Sequence, residues 1–269
     1  MVQATYLKAE ELTGLIKSRG IGVWSCSAWE TENAISSLNG TDLLLTTGGD
    51  GTILRAAQVA LERQIPITGI NMGNLGFLTE FKADDAVNQL SEILDGRGWI
   101  DERSMLEAQL ATSDQNGNPP GVFAALNDVV LARGAIAKLI QIDASINDQP
   151  LAGYRADGLI LSTATGSTGY ALAAGGPILY PQSSDLLLVP IVSHLSSGYS
   201  QVLPASSVIK LKLATTNQAT LSIDGHINIP VSAGAVVTVK SSALKTRFLR
   251  LRPRDYFFKV LEEKLRGKK

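Results

Sequence analysis

A glycine-rich turn between an apolar run and a helical pattern constrains this chain more than any other feature. Thr46-Thr47-Gly48-Gly49-Asp50-Gly51-Thr52 follows Leu43-Leu44-Leu45 and precedes apolar residues at helical spacing from Ile53. Glycines let a ligand approach bare backbone, and the N–H groups at a helix start favour an anion. A carboxylate such as Asp50 is costly there unless chemistry needs it. The turn therefore indicates phosphate chemistry, and the alternative is an ordinary βα turn with a helix-capping Asp50.

Composition limits the partners that the chain can bind. Its 269 residues are 45% hydrophobic and 18% charged, enough for one large domain or two ordinary ones. The formal net charge of −1 leaves no basic surplus for nucleic acid. Cys26 is the only cysteine, which excludes an intrachain disulfide and favours a reducing compartment. Since no signal-like start and no apolar run near ~18 residues is present, we expect a cytoplasmic protein without a membrane segment.

The spacing of apolar residues changes near Trp99. Before it, strand and helix patterns alternate, including a predicted strand at Ile21 to Trp24, and a mostly parallel sheet is expected. After it, apolar and polar residues alternate, as in Lys138 to Ile146, which predicts antiparallel strands. The last residues return to a helical pattern. We therefore expect a Rossmann-like α/β domain at 1–98, completed by a C-terminal helix at 254–269, and an all-β, sandwich-like domain at 99–253.

Two further clusters suit contact with a ligand. Asn71-Met72-Gly73-Asn74-Leu75-Gly76-Phe77 places two glycines after a buried strand, and the alternative is an ordinary loop with Phe77 in the core. Asn127-Asp128 interrupts an apolar run, which is unusual inside a strand. A carboxylate and an amide together suit a ribose or a diol, and the alternative is a β-bulge.

Two more clusters lie around a predicted buried strand that begins at Leu159. Arg155 and Asp157 precede it, and they either contact a ligand or pair with each other at the surface. The segment Ser162 to Tyr170 follows it, is dense in hydroxyl groups and begins a predicted helix. Such a segment suits a phosphate- or sugar-bearing ligand. The alternative, a Ser/Thr-rich helix cap, explains only one or two of its hydroxyl residues.

Several common site motifs are missing from the chain. It has no G-x-x-x-x-G-K-[ST] phosphate loop and no G-x-G-x-x-G dinucleotide fingerprint. It also lacks an H-E-x-x-H zinc motif and a G-x-S-x-G nucleophile elbow. The sequence therefore argues against a P-loop NTPase, a zinc hydrolase and a serine hydrolase, and any dinucleotide site would lack the standard fingerprint.

Taken in this order, the clusters resemble those of the NAD kinase family. The turn Gly48-Gly49-Asp50-Gly51-Thr52 alone is shared with lipid kinases and phosphofructokinases, but its combination with the other motifs is far more specific. The remaining matches are Asn71 to Glu80, Asn127-Asp128, Asp157-Gly158, Thr165 to Tyr170, Asp224-Gly225-His226, and Tyr256-Phe257-Phe258 to Leu265. The departures are Ala164 in place of Pro, Gly169 in place of Ala, a partial match at Ser193-His194-Leu195, and no opening strand before Leu7.

The resemblance implies a kinase that transfers a phosphoryl group from ATP or polyphosphate to the 2′-hydroxyl of the adenosine ribose of NAD. It also implies Mg²⁺ as cofactor, a site between an α/β and a β-rich domain, and a homodimer or homotetramer. One alternative is a lipid or sphingoid-base kinase, which would want an apolar trench or a basic membrane-facing helix. Another is a nucleotide sensor without catalysis, which would have no use for Asp50.

By the same resemblance, Asp50 is the expected proton acceptor, with binding of Mg²⁺ as its alternative role. No other metal ligand is assigned. The residues expected to contact the nucleotides are Gly49, Gly51, Arg55, Asn71, Phe77, Asn127, Asp128, Lys138, Arg155, Asp157, Thr165, Ser167, Thr168, Gly169, Tyr170, Ala173 and His226.

Overall fold

The computed structural model describes residues 2–73, 76–111, 121–134, 138–191, 198–215 and 217–265. The helices are α1 (Val2–Ser18), α2 (Thr31–Ser36), α3 (Asp50–Ala60), α4 (Ala86–Leu94), α5 (Tyr170–Ala173) and α6 (Tyr256–Leu265), with single 3-10 turns at Ala83–Asp85 and Gly166–Thr168. The strands are β1 (Leu44–Gly48), β2 (Ile67–Asn71), β3 (Phe81–Lys82), β4 (Trp99–Ala111), β5 (Gly121–Ala125), β6 (Asp128–Arg133), β7 (Ile140–Ile146), β8 (Gln149–Ala156), β9 (Gly158–Ser162), β10 (Leu186–Ile191), β11 (Gln201–Leu203), β12 (Val208–Leu213), β13 (Ala219–Ile223), β14 (Ile227–Val231) and β15 (Val236–Arg250).

The chain forms two compact units, Met1–Glu102 with Thr246–Lys269, and Arg103–Lys245. In the first unit, β1 and β3 pair in parallel with β2, and the end of β15 also joins β2 in parallel. Helices α1 and α4 pack their apolar residues against this sheet, while Ile53 and Ala57 of α3 are fully buried. The unit is therefore the α/β domain that the alternating pattern predicts.

The pairing of β1 with β2 sets the position of the glycine turn. Gly48, the last residue of β1, lies opposite Asn71, the last residue of β2. Because parallel strands end at the same edge of a sheet, the turn that follows β1 and the loop that follows β2 leave the sheet side by side. Two of the predicted clusters are thereby neighbours within this unit.

The second unit is an antiparallel sandwich. One sheet has the strand order β11-β10-β9-β6-β13-β14. The facing sheet contains β12, which pairs with both β15 and β7. It also contains β8, which pairs with β7, and β4, which pairs with β5. The core holds Leu131 and Leu221 from the first sheet with Ile142, Ile209 and Val237 from the second. The predicted sandwich-like β domain is confirmed.

Two predictions about local structure were wrong. Ile21 to Trp24 forms no strand, because Ile21 is exposed and the Trp24 indole N–H instead donates to Thr41 Oγ1 at 2.9 Å. Residues 99–102 and 246–253 belong to the first unit rather than the second. Strands β4 and β15 are long and alternate throughout, so the spacing of their apolar residues does not mark the unit boundary.

Two structural features are absent from the described part of the chain. No strand precedes β1 in it. None of its helices combines the length and the apolar character needed to cross a membrane.

Candidate active site

Asp50 connects the two loops at the edge of the first unit's sheet. Its Oδ2 accepts the N–H of Phe77 at 2.8 Å, and its Oδ1 accepts the N–H of Leu78 at 3.1 Å. The residue that caps α3 is Gly49, in an extended conformation and without a side-chain bond. The alternative explanation of Asp50 as a helix cap is therefore wrong, since its carboxylate is turned towards the loop after β2.

Glycines leave room on both sides of this carboxylate. A Cβ added at Gly76 would overlap the Asp50 side chain, with the Cγ of Asp50 only 2.6 Å away. In contrast, a Cβ added at Gly49, Gly51 or Gly73 would meet no heavy atom within 4 Å. Gly76 thus lets Asp50 reach the loop, while the open space at Gly49 and Gly51 adjoins the N–H groups of the first turn of α3, where an anion is favoured.

The other predicted residues of this unit shape the loops. Buried Asn71 donates from Nδ2 to Thr79 Oγ1 at 3.1 Å and accepts the Gly73 N–H at 2.7 Å. The Phe77 ring lies 6.2 Å from that of Phe257 and has the ammonium of Lys264 4.5 Å from its centroid. The Arg55 guanidinium lies 3.7 Å from the centroid of the Trp29 ring. Asn74 and Leu75 of the predicted motif lie outside the described residues.

Asp224 organises the predicted Asn127-Asp128 pair in the second unit. Its carboxylate accepts three consecutive amide hydrogens, from Leu126 at 2.9 Å, Asn127 at 2.7 Å and Asp128 at 3.1 Å. Asp224 has a φ of 49° and Gly225 one of 69°, which form the tight turn between β13 and β14. The Asn127-Asp128 pair is therefore the bend between β5 and β6, and not a bulge within a strand.

Hydroxyl groups at the end of β9 and just after it hold the same bend from its carbonyl side. Thr163 Oγ1 donates to the carbonyl of Leu126 at 2.6 Å, and Ser162 Oγ donates to that of Asn127 at 3.1 Å. At Gly166 an added Cβ would overlap the Asn127 carbonyl. The bend is thus fixed by Asp224 on its amides and by Ser162 and Thr163 on its carbonyls.

Three predicted hydroxyl residues also bond within the protein. Ser167 is fully buried, donates to the Ala164 carbonyl at 2.6 Å and accepts the Leu179 N–H at 3.0 Å. Thr165 Oγ1 accepts from Arg103 at 3.3 Å, and Thr168 Oγ1 donates to the Thr165 carbonyl at 3.2 Å. None of these bonds is a helix-cap bond, since neither Thr165 nor Gly169, which precede the two short helices, caps its helix with a side chain.

Burial and like charge act on the carboxyl groups of Asp128, at the bend, and of Asp224, in the β13–β14 turn. Burial, together with the nearby Asp224 charge, raises the pKa of Asp128 to about 7. Burial also raises the pKa of Asp224, although its three amide donors and His226 oppose the shift. Asp128 can therefore hold or release a proton near neutral pH, and in its protonated form it can donate a hydrogen bond.

A cleft of about 470 Å³ opens beside this bend. The side-chain Oδ1 of Asn127 is buried and has no hydrogen-bond partner among the described residues. A buried acceptor of this kind is costly unless a ligand supplies a donor. The lining residues are Asn127, Asp128, Val130, Ala132, Tyr170, Thr220, Ser222, Asp224, Gly225 and Asn228.

The predicted residues divide into those beside this cleft and those away from it. Asn127, Asp128 and Tyr170 line it. Gly169 lies next to Asn127, whose Nδ2 would be 3.7 Å from an added Cβ. Ala173 is exposed on the helix that Tyr170 begins, and the His226 Nδ1 lies 3.2 Å from the Asp224 carbonyl.

Lys138, Arg155 and Asp157 are not among the described lining residues. Asp157 binds Arg133 at 2.7 Å, so the alternative in which it pairs with Arg155 is wrong. Arg133 follows Ala132, which does line the cleft. Lys138 and Arg155 are both exposed. Contact of Lys138, Arg155 and Asp157 with a ligand therefore stays a prediction.

The sequence pointed to Asp224 only as part of a family motif, and to Ser162 and Thr163 only as part of a hydroxyl-rich segment, without the hydrogen bonds by which they build the site. Asp224-Gly225 has the composition of an ordinary hairpin turn, and nothing local indicates that its carboxylate bonds amides about a hundred residues away. Ser162 and Thr163 belong to the predicted hydroxyl cluster, but their partners are backbone carbonyls. The segment Ser193-His194-Leu195 lies outside the described residues.

Comparison with known proteins identifies the family. Two family models match, the ATP-NAD kinase N-terminal domain over residues 6–98 and the ATP-NAD kinase C-terminal domain over residues 126–251. The chain is 49% identical to the NAD kinase of Dehalococcoides mccartyi strain CBDB1, over 96% of this chain and 90% of that protein. It is 39% identical to the NAD kinase of Chloroflexus aggregans, over 96% and 92% of the two chains.

Solved structures agree with these sequence matches. An NAD kinase from Archaeoglobus fulgidus in complex with ATP superposes with a TM-score of 0.77 at 25% identity, covering 95% of both chains. Yeast NADH kinase complexed with NADH superposes with a TM-score of 0.76 at 32% identity, covering 85% of this chain and 67% of that one. With both family models, close relatives along nearly its whole length and the same fold, the chain belongs to the NAD kinase family and is an enzyme of that family.

Proposed function

We propose that this enzyme transfers the terminal phosphoryl group of ATP to the 2′-hydroxyl of the adenosine ribose of NAD, producing NADP. The observation that carries the proposal is the geometry of Asp50, whose carboxylate is fixed by the amides of Phe77 and Leu78 beside the first turn of α3. A fixed acid next to an anion-binding turn suits a reaction in which a hydroxyl loses its proton beside phosphates.

The proposed transfer exchanges one phosphorus–oxygen bond for another. The ribose 2′-oxygen bonds to the terminal phosphorus, while the bond from that phosphorus to its bridging oxygen breaks. The bridging oxygen keeps the electron pair and leaves as part of ADP. The hydroxyl proton passes to Asp50, each of whose oxygens accepts one N–H and retains a further lone pair. General-base help of this kind is typically worth about 10²–10⁴ in rate.

We assign the cleft beside Asn127 and Asp128 to part of NAD. The partnerless Oδ1 of Asn127 would accept from an amino or carboxamide N–H. Asp128 would bond ribose hydroxyls, and the exposed ring of Tyr170 would lie along the ligand. A ligand donor to Asn127 would remove the cost of burying an acceptor without a partner. Lys138, Arg155 and Asp157 stay predictions.

Mg²⁺ fits this proposal as an ion that is bound mainly by the phosphates of ATP. Among the described residues, no three His, Cys, Asp or Glu side chains form a metal-binding group. Mg²⁺ usually keeps several waters and is bound by one or two carboxylates plus substrate phosphates. Asp50 is the carboxylate of the glycine turn that could contribute. When bound, the ion would neutralise charge that develops on the donor phosphates.

The direct test incubates the purified protein with NAD, ATP and Mg²⁺ and detects NADP with an NADP-specific dehydrogenase. Phosphorus NMR of the product distinguishes a 2′-phosphate from a 3′-phosphate. Parallel reactions with polyphosphate as donor and NADH as acceptor define the substrates. A 2′-phosphorylated product supports the proposal, whereas the absence of NADP with every donor, or phosphate on another hydroxyl, contradicts it.

A further inference from the structure

Trp29 is an exposed aromatic side chain in a well-formed turn just before α2. Three quarters of its surface, 75%, is exposed. The turn is closed by local bonds, from the Ser27 N–H to Glu30 at 2.9 Å and from the Trp29 N–H to Ser27 Oγ at 3.3 Å. Tryptophan is highly buried on average in folded proteins. An indole kept in water on an ordered turn is therefore a feature to explain.

The indole adjoins the proposed phosphate site through Arg55. The guanidinium lies over the ring at 3.7 Å, and helix α2, which begins two residues after Trp29, contacts α3. Arg55 lies four residues after Gly51, so both are on the same face of α3. Side chains on a helix lean towards its N-terminus, so Arg55 is directed towards the turn of α3 that holds Gly51. An added Cβ at Gly51 would meet no heavy atom within 4 Å.

We propose that Trp29 is the stacking surface for the base of the nucleotide that donates the phosphoryl group. This inference rests on the proposed function. A guanidinium beside the glycine turn suits phosphates, and the adjacent indole face suits a planar base, so the pair matches a nucleotide. Inorganic polyphosphate could use the amides and Arg55 but offers nothing that stacks on an aromatic ring.

The test compares two inhibitors of the wild-type enzyme and its variants. ADP carries a base, and inorganic tripolyphosphate carries only phosphates. We expect Trp29→Ala to weaken binding of ADP about tenfold, since a stacked base is worth a factor of this order. Trp29→Phe should weaken ADP binding much less, because Phe keeps an aromatic face. Binding of tripolyphosphate and the KM for NAD should stay within about twofold of wild type in both variants.

Tyr6→Ala is the matched control, because Tyr6 is an aromatic residue of the same unit that is 64% exposed. Equal loss of ADP and tripolyphosphate binding in Trp29→Ala would overturn the inference, since Trp29 would then act only through Arg55. Unchanged ADP binding would overturn it as well. Direct calorimetric titration of ADP gives the same comparison without turnover, so an enzyme that makes no NADP would refute the proposed function while leaving this test intact.

Discussion

The carboxylate of Asp224 accepts the amide hydrogen of Asn127 at 2.7 Å, across 97 residues of sequence. The tip of the β13–β14 hairpin thereby fixes the bend that begins β6, and the neighbouring amides of Leu126 and Asp128 bond to the same carboxylate. Because Asn127 and Asp128 line the cleft, the shape of the proposed NAD site depends on a side chain at the end of another strand pair.

Replacing Asp224 with Ala leaves the buried amides of Leu126 and Asp128 and the part-buried amide of Asn127 without their acceptor. Each unsatisfied buried group costs about 1–3 kcal/mol, so we expect the free energy of unfolding to fall by at least about 2 kcal/mol, measured by urea denaturation. Asp148→Ala is the control, since Asp148 also has a positive φ in a hairpin turn but is exposed and forms an ion pair with Lys210 instead of accepting buried amides. A similarly small fall in the free energy of unfolding in both variants would contradict the role of Asp224 as the acceptor that holds the bend.

The raised pKa of Asp128 predicts a pH-dependent stability. An unfolded Asp has a pKa near ~3.9, whereas burial and the Asp224 charge raise that of folded Asp128 to about 7. Between these values the folded protein binds more protons than the unfolded chain, so stability falls as pH rises towards and through 7. Asp128→Asn lacks this titration. Between pH 5 and pH 8, the free energy of unfolding measured in urea should fall by roughly 2 kcal/mol more in the wild type than in the Asp128→Asn variant. Parallel losses would refute the assignment.

Gly76 is expected to be essential for the position of Asp50. In Gly76→Ala the new Cβ would overlap the Asp50 carboxylate and displace it from the amides of Phe77 and Leu78. Displacement of a catalytic group by about 1 Å can cost about 10²-fold in rate, so kcat should fall by roughly 10- to 100-fold. In the same loop, Gly73→Ala meets no atom within 4 Å and should keep kcat within about twofold. Equal kcat values would show that the contact is unimportant.

A buried ion network holds the residues after this loop. Arg250 donates to Glu80 at 3.1 Å and to the carbonyl of Leu78 at 2.7 Å, and lies 3.5 Å from Asp101. Removing one member of a buried pair leaves the other charge uncompensated, so Arg250→Ala should cost about 3–5 kcal/mol. The exposed Arg247–Glu102 pair is the control, and Arg247→Ala should cost at most about 1 kcal/mol. Chemical denaturation of both variants tests the difference.

The fold was predictable wherever one local pattern covers a whole element. The apolar run before Gly48 predicted β1, the helical spacing from Ile53 predicted α3, and alternation after Trp99 predicted the antiparallel unit. Ile21 to Trp24 failed because an apolar run becomes a strand only where a neighbouring strand can pair with it. The boundary between the units could not be predicted, because buried and exposed residues alternate along β4 and β15 without interruption across it.

The residue types of the site could be predicted from the sequence, but the hydrogen bonds and ion pairs that join them could not. Asp50 and Asn127-Asp128 stand out locally as polar residues among glycines or apolar residues. The bond from Phe77 to Asp50 depends on the register that brings Gly48 opposite Asn71, and register is a tertiary property. The pairing of Asp157 with Arg133 likewise follows from the alignment of two strand ends, which adjacency in sequence does not reveal.

The proposed role of Asp50 as acceptor of the NAD ribose hydroxyl proton is tested most directly by the Asp50→Asn variant. Asn keeps the size of the side chain and one acceptor oxygen but cannot take up the proton. NADP formation should fall about 10²–10⁴-fold in kcat, while calorimetry should give a Kd for NAD within about threefold of wild type. Turnover near the wild-type rate, with NAD still bound, would contradict the account.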